Sequence, residues 1–252
     1  MITVDLNADL GEGAGADEAI LGYVTSANIA CGFHAGGPAE MRRAVRAAAQ
    51  RGVAIGAHPG LADRDNFGRL PQSISPDEAY ELTVYQVGAL QGFVRAGGDG
   101  AMLTHVKPHG ALYQMAAADV GIAAAIARAV RAVDPGLILV GLSGSELIRA
   151  GAAAGLDTAS EVFADRSYQS DGRLTPRSQP GALITDVATA TDQAVRLVEA
   201  REVRATDGRV VRVVPDTICL HGDGAHAAEF ADAIRSAMEG AGIEVKPLRR
   251  RS

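Results

Sequence analysis

The stretch Thr104-His-Val-Lys-Pro-His-Gly110 reads as a strand running into a turn, because Pro108 has no N–H to offer a helix interior. Side chains alternate along an extended chain, so His105, Lys107 and His109 share one face. Helical patterns flank the stretch, Pro76–Ala96 before it and Ala116–Val133 after it. A short buried strand between two helices implies parallel pairing through right-handed crossovers.

The same unit recurs outward in both directions. Strand-like runs fall at Ile2–Asn7, Ala27–Cys31, Val53–Ala57, Leu103–Lys107, Leu137–Gly141, Thr158–Phe163 and Thr217–Leu220. Helical patterns at Pro38–Arg51, Ser145–Ala154, Val187–Ala200 and Ala225–Gly240 complete the alternation. Pro38 and Pro76 suit first helical turns, Ser75 an N-cap, and Gly97 a helix stop. The repeats predict an α/β fold: one domain over residues 1–252, built as a seven-stranded, TIM-like β/α barrel. An open doubly wound sheet has the same linear pattern, so closure is an expectation about tertiary structure. Two segments break the rhythm, Leu61–Gln72 after the third strand and Asp165–Thr185 after the sixth, where long loops carry function. Val203–Val214, around Asp207-Gly208, reads as a hairpin.

Composition narrows the function. Aromatics make up 4% with no Trp, which leaves no stacking platform for nucleic acid, and a formal charge of −6 attracts neither phosphate backbones nor anionic membranes. No apolar run reaches membrane-spanning length, and Met1 leads straight into a strand-like run, so a cytoplasmic protein is expected. Cys31 and Cys219 are too few for a disulfide framework and sit in apolar runs, as buried structural thiols do.

The histidines carry the chemistry. His34, His58, His105, His109, His221 and His226 each lie within a few residues of the C-terminal end of an expected strand. That end is the ligand-binding face of barrels and open α/β sheets, so imidazoles from separate strands should converge there. His226 falls inside the last helix pattern and is expected to look outward. Lys107 is one of two lysines, the other being Lys246. In a crowded site it can hold a substrate carboxylate or phosphate, or lose its proton and act as a base. On the first strand Asp5, Asn7 and Asp9 share a face, and buried carboxylates there need a cation, the Lys107 ammonium or a substrate amide as partner. A metal site is left open, with Asp5, Asp9, His34 and His58 as candidate ligands and no His-Glu-x-x-His or Cys-x-x-Cys spacing to secure it. The catalytic candidates are Asp9, His34, His58, His105, Lys107, His109 and His221. Substrate-contacting candidates are Asn7, Asn28, Arg69, Glu161, Asp165, Arg166 and Asp223. Gly11-Glu-Gly-Ala-Gly-Ala16 mimics a dinucleotide fingerprint, yet no acidic residue closes a second strand about 20 positions on, so it reads as a tight turn. No Gly-x-x-x-x-Gly-Lys-Ser/Thr phosphate loop is present.

The longer motifs are Asp5-Leu-Asn-Ala-Asp-Leu-Gly-Glu12, Ser26-Ala-Asn-Ile-Ala-Cys-Gly-Phe-His-Ala-Gly36, Gly56-Ala-His-Pro-Gly60, Phe67-Gly-Arg69, His105-Val-Lys-Pro-His-Gly-Ala-Leu-Tyr113, Glu161-Val-Phe-Ala-Asp-Arg166 and Asp216-Thr-Ile-Cys-Leu-His-Gly-Asp223. Together they resemble the LamB/YcsF family nearly end to end, with only Arg249–Ser252 idiosyncratic. The resemblance implies a barrel similar to polysaccharide deacetylases and the A-subunit role in an ATP-dependent 5-oxoprolinase. Such an enzyme works with subunits B and C to hydrolyse 5-oxo-L-proline to L-glutamate. ATP, with Mg, is then shared with the partner subunits, and homo-oligomerisation is left open. The lactam is resonance-stabilised, and phosphorylating its amide oxygen would make it a better electrophile for water. In that scheme a strand-end His or Asp activates water while Lys107 and arginines hold the carboxylate and phosphoryl groups. Replacing Lys107 with Ala should then abolish turnover and leave the fold intact. The alternative is a metal-dependent amidase or deacetylase acting alone on another small amide or N-acetyl substrate; a non-catalytic binding subunit is a third reading.

Overall fold

Alternating short apolar strands with amphipathic helices leaves each strand to bury both faces, one against helices and one against other strands. The computed structural model describes residues 2–13, 15, 17–97, 100–220 and 227–250. In chain order these form β1 (Thr3–Leu10), α1 (Asp17–Ile20), β2 (Ser26–Ala30), α2 (Pro38–Gln50), β3 (Ala54–His58), α3 (Pro76–Ala96), β4 (Leu103–Val106), α4 (Gly110–Ala118), α5 (Val120–Val133) and β5 (Ile138–Leu142). They continue with α6 (Glu146–Ala153), β6 (Thr158–Phe163), α7 (Val187–Glu199), β7 (Glu202–Arg204), β8 (Val210–Arg212), β9 (Thr217–Leu220), α8 (Ala227–Gly240) and β10 (Glu244–Val245).

Closure comes from β9, which pairs in parallel with β6 on one side and β1 on the other. The seven parallel strands β1-β2-β3-β4-β5-β6-β9 thus form a closed barrel, as expected. The β7–β8 pair is the expected antiparallel hairpin, and β10 adds to the start of β1. Among the described residues no helix is long and apolar enough to cross a membrane.

Local signals explain most boundaries. Ser75 caps α3 with a reciprocal capping box through Glu78, and Pro76 opens the helix. The single helix expected over Ala116–Val133 is two, because Asp119 accepts the Ile122 N–H at 2.9 Å and restarts the chain as the N-cap of α5. The first strand also runs to Leu10, three residues past the expected Asn7.

Helices cover the outside, where Leu6, Ile29, Leu90 and Ile126 are buried in one apolar cluster. The barrel axis is polar instead. Asn7 donates to Glu161 Oε1 at 3.0 Å and Thr217 Oγ1 at 2.6 Å, while Asn28 donates to Asn7 Oδ1 at 2.7 Å and Asp9 Oδ1 at 2.9 Å. Gly56 makes room for this packing: a Cβ there would collide with the His105 ring.

Candidate active site

The site grows from β1. Its alternation points Asp5, Asn7 and Asp9 inward at three successive levels, and the lowest is not part of the site. Asp5 accepts from Thr25 Oγ1, Ser26 Oγ and Thr217 Oγ1 at 2.6 to 2.8 Å, and Ser26 and Thr217 begin their strands. It therefore closes the N-terminal end of the barrel, and its candidacy as a metal ligand beside His34 and His58 is corrected. Burial raises its pKa despite the three hydroxyls.

Lys107 occupies the next level. Its Nζ lies 2.9 Å from Glu161 Oε1, 3.0 Å from Asp9 Oδ1, 3.2 Å from Asn7 Oδ1 and 3.1 Å from Cys219 Sγ. An ammonium has three hydrogens, and these acceptors consume them. Burial alone would strip its proton, but Asp9 and Glu161 overcome that and hold the pKa well above the ordinary lysine value. Lys107 is thus held protonated as the internal counter-ion of two carboxylates, and it also borders the cavity. His105 is likewise engaged within the barrel. It is 1% exposed and donates through Nε2 to Asn28 Oδ1 at 2.9 Å, because the Asn28 amide nitrogen is already turned to Asp9. Burial and neighbouring Lys107 depress its pKa to about 3, so it stays neutral within the barrel wall. Asn7, Asn28 and Glu161, expected to touch substrate, form the same buried layer below the cavity.

Above that layer four side chains meet. Glu12, His34, His58 and His109 each present one ligand atom, all within 4.8 Å of one another. Their tautomers follow from backbone carbonyls, which can only accept. His58 Nδ1–H donates to Lys107 O at 2.7 Å, and His109 Nε2–H donates to Phe67 O at 2.8 Å. The remaining nitrogens, His58 Nε2 and His109 Nδ1, face each other at 2.9 Å as lone pairs. Glu12 Oε1 is 3.1 Å from His34 Nε2 and 3.4 Å from His109 Nδ1, and Asp9 Oδ2 is 3.2 Å from His58 Nε2. Burial first, and then His58, drives the His34 pKa down to about 2, and the same causes place His109 well below the usual imidazole value. Lone pairs crowded this closely need a shared proton or a cation between them. Three imidazoles and one carboxylate are the donor set of zinc-type divalent ions, so the residues fit such a group.

Loops lock the cluster. Phe67 takes a left-handed φ of 56°, rare for an aromatic residue, and thereby aims its carbonyl at His109. His34 stacks flat on His109 at 3.7 Å, with the Phe67 ring edge-on to both. Gly68 and Gly110, both at positive φ, let the Leu61–Gln72 segment sit directly on the end of β4, where Ala111 N bonds Gly68 O at 2.9 Å.

A cavity of about 520 Å³ opens over this floor. Asp9, Glu12, His58 and His109 reach it, as do Arg69, Arg166 and Arg177 from the two long loops. Arg166 donates to Ala182 O and Thr175 O, tying its loop together, and burial followed by nearby Arg177 lowers its pKa to about 10. Asp165 is buried beside Arg166, outside the cavity lining. His221, Asp223 and His226 lie outside the described residues. Glu12 is the cluster member that sequence reasoning passed over. Its signal was present, since it follows the end of β1 as the histidines follow theirs, but the surrounding glycines read as a turn.

Fold and site together define a β/α-barrel enzyme with a histidine–carboxylate centre at the C-terminal mouth. The chain belongs to the LamB/YcsF family, whose family model matches residues 4–252. It is 58% identical to the 5-oxoprolinase A subunit of Bacillus subtilis strain 168, over 98% of this chain and 98% of that one. It is 57% identical to the protein of the same description from Methylococcus capsulatus, over 98% and 96%. Among solved structures, the lactam utilization protein from Thermus thermophilus superposes with a TM-score of 0.90 at 48% identity, covering 98% of this chain and all of that one. The polysaccharide deacetylase Bc1974 from Bacillus cereus shares the fold, with a TM-score of 0.51 at 14% identity over 99% and 93%.

Proposed function

We propose that this chain, acting as one domain, is the A subunit of a cytoplasmic, ATP-dependent 5-oxoprolinase that opens the lactam of 5-oxo-L-proline to L-glutamate with subunits B and C. The observation that carries the reading is the converging lone pairs of Glu12, His34, His58 and His109 at the floor of a cavity walled by arginines. Near-full-length relatives described as the A subunit of 5-oxoprolinase support the substrate, and two buried free thiols suit a reducing compartment.

The geometry supports a role for each residue. Glu12, His34, His58 and His109 would hold a divalent ion. Such an ion, when bound, polarises an amide carbonyl and lowers the pKa of water. Asp9 keeps its Oδ2 toward the cluster because Lys107 and Asn28 hold Oδ1, which places a carboxylate to take the proton of an attacking water. Arg69 and Arg177 face the cavity and match the planar carboxylate of the substrate. ATP with Mg is handled by the partner subunits, in keeping with a sequence that has no phosphate loop.

The same cluster on a deacetylase-like barrel supports a second reading, an ion-dependent amidase or deacetylase that needs neither ATP nor partners. Reconstitution separates the two. The complex of all three subunits should form glutamate from 5-oxoproline only with ATP, and this chain alone should not. ATP-independent, chelator-sensitive cleavage of small amides by the isolated chain would replace the first reading with the second.

A further inference from the structure

The site described so far is rich in lone pairs and poor in neutral donors. Asp9, Glu12, His58 and His109 all present acceptor atoms at the cavity floor, and the hydrogens of Lys107 are spent on Asp9, Asn7 and Glu161. Opening an amide builds negative charge on its carbonyl oxygen, and a preorganised donor there strengthens as the charge grows.

Tyr113 has the position for it. It lies in the first turn of α4, four residues past His109, and borders the same cavity. The side chain is 4% exposed and its ring packs edge-on against Phe163 at 5.9 Å, so its orientation is held. Its hydroxyl makes no hydrogen bond to any described residue. Buried tyrosine hydroxyls ordinarily find a partner. Tyr168, the other fully buried tyrosine, obeys that rule by accepting the Phe163 N–H at 2.7 Å. The Glu161 carboxylate stands within reach of the Tyr113 hydroxyl and competes for its hydrogen, though the contact falls short of a well-formed hydrogen bond. Burial first, and then Glu161, pushes the phenol pKa well up, which keeps it a proton-bearing donor.

We propose that Tyr113 is a further catalytic residue of this cavity, donating a hydrogen bond to the carbonyl oxygen of the scissile amide. The proposal rests on the amide-hydrolase reading above and assigns it a contact outside the cation cluster and the arginines.

Tyr113→Phe in the reconstituted three-subunit complex tests it, because the substitution deletes only the hydroxyl. The urea midpoint of the variant should equal that of the wild type if the hydroxyl serves substrate rather than Glu161. The kcat/KM for glutamate formation should fall about 100-fold, mostly in kcat, as for other single oxyanion donors. The Kd for 5-oxoproline titrated onto the isolated chain should weaken about fivefold. A kcat/KM within threefold of wild type overturns the proposal. So does a marked drop in the urea midpoint, which would make the hydroxyl a structural partner of Glu161. If the wild-type complex forms no glutamate, the 5-oxoprolinase reading falls separately. The titration then decides Tyr113, with equal affinity, or binding to neither protein, overturning its role.

Discussion

At the residue scale, Lys107 borders the cavity while its ammonium is engaged by acceptors inside the barrel. Its ammonium neutralises Asp9 and Glu161 inside the barrel, both less than a tenth exposed. Removing one partner of a buried ion network leaves the others uncompensated, which costs about 3–5 kcal/mol. Lys107→Met should therefore lower stability by roughly that amount in urea unfolding, as well as abolishing activity. Adding Glu161→Gln removes one stranded charge and should recover part of the loss. A Lys107→Met protein as stable as wild type would contradict this placement. The sequence expectation of an intact fold after Lys107 is removed took no account of this network, because alternation gives the face of a side chain but not how many acceptors wait there.

At the scale of elements, the site depends on how closely the Leu61–Gln72 segment rests on the end of β4. Gly110 has a φ of 52°, and a Cβ there would stand 2.6 Å from Gly68 O. An L side chain in the left-handed region costs about 1–2 kcal/mol before any clash. Gly110→Ala should lose about 2 kcal/mol or more in thermal or urea unfolding. It should also weaken zinc binding in a titration of the isolated chain, because lifting the segment moves Phe67 O away from His109. Unchanged zinc affinity would mean that the carbonyl does not orient this imidazole.

At the scale of the whole molecule, burying neutral histidines makes the fold acid-labile. Within the folded barrel His105 takes up a proton only near pH 3, whereas in the unfolded chain it does so at about 6.5. Between those values the unfolded state binds the extra proton. This contribution is thus complete above pH 6.5 and is lost as pH falls toward 3, at about 1.4 kcal/mol for each pH unit. Urea unfolding at pH 7.5, 6 and 5 should show a slope in wild type that His105→Gln reduces by about one proton. Equal slopes would place the titration elsewhere.

The sequence by itself determined the strand–helix repeat, the strand ends that carry chemistry and the inward face of β1, because period and punctuation are local properties. It placed Asp9, His34, His58 and His109 on one end of the sheet, and that is where they meet. Only tertiary structure decided that the sheet closes, since closure is the pairing of β9 with β1 across more than two hundred residues. Depth along the barrel was decided there too. Asp5, Asn7 and Asp9 are equivalent by alternation, yet they serve the sealed end, the buried layer and the cavity floor. Tautomers were equally hidden in the sequence, because the hydrogen each imidazole carries is set by carbonyls of Phe67 and Lys107 that only the folded chain brings within reach.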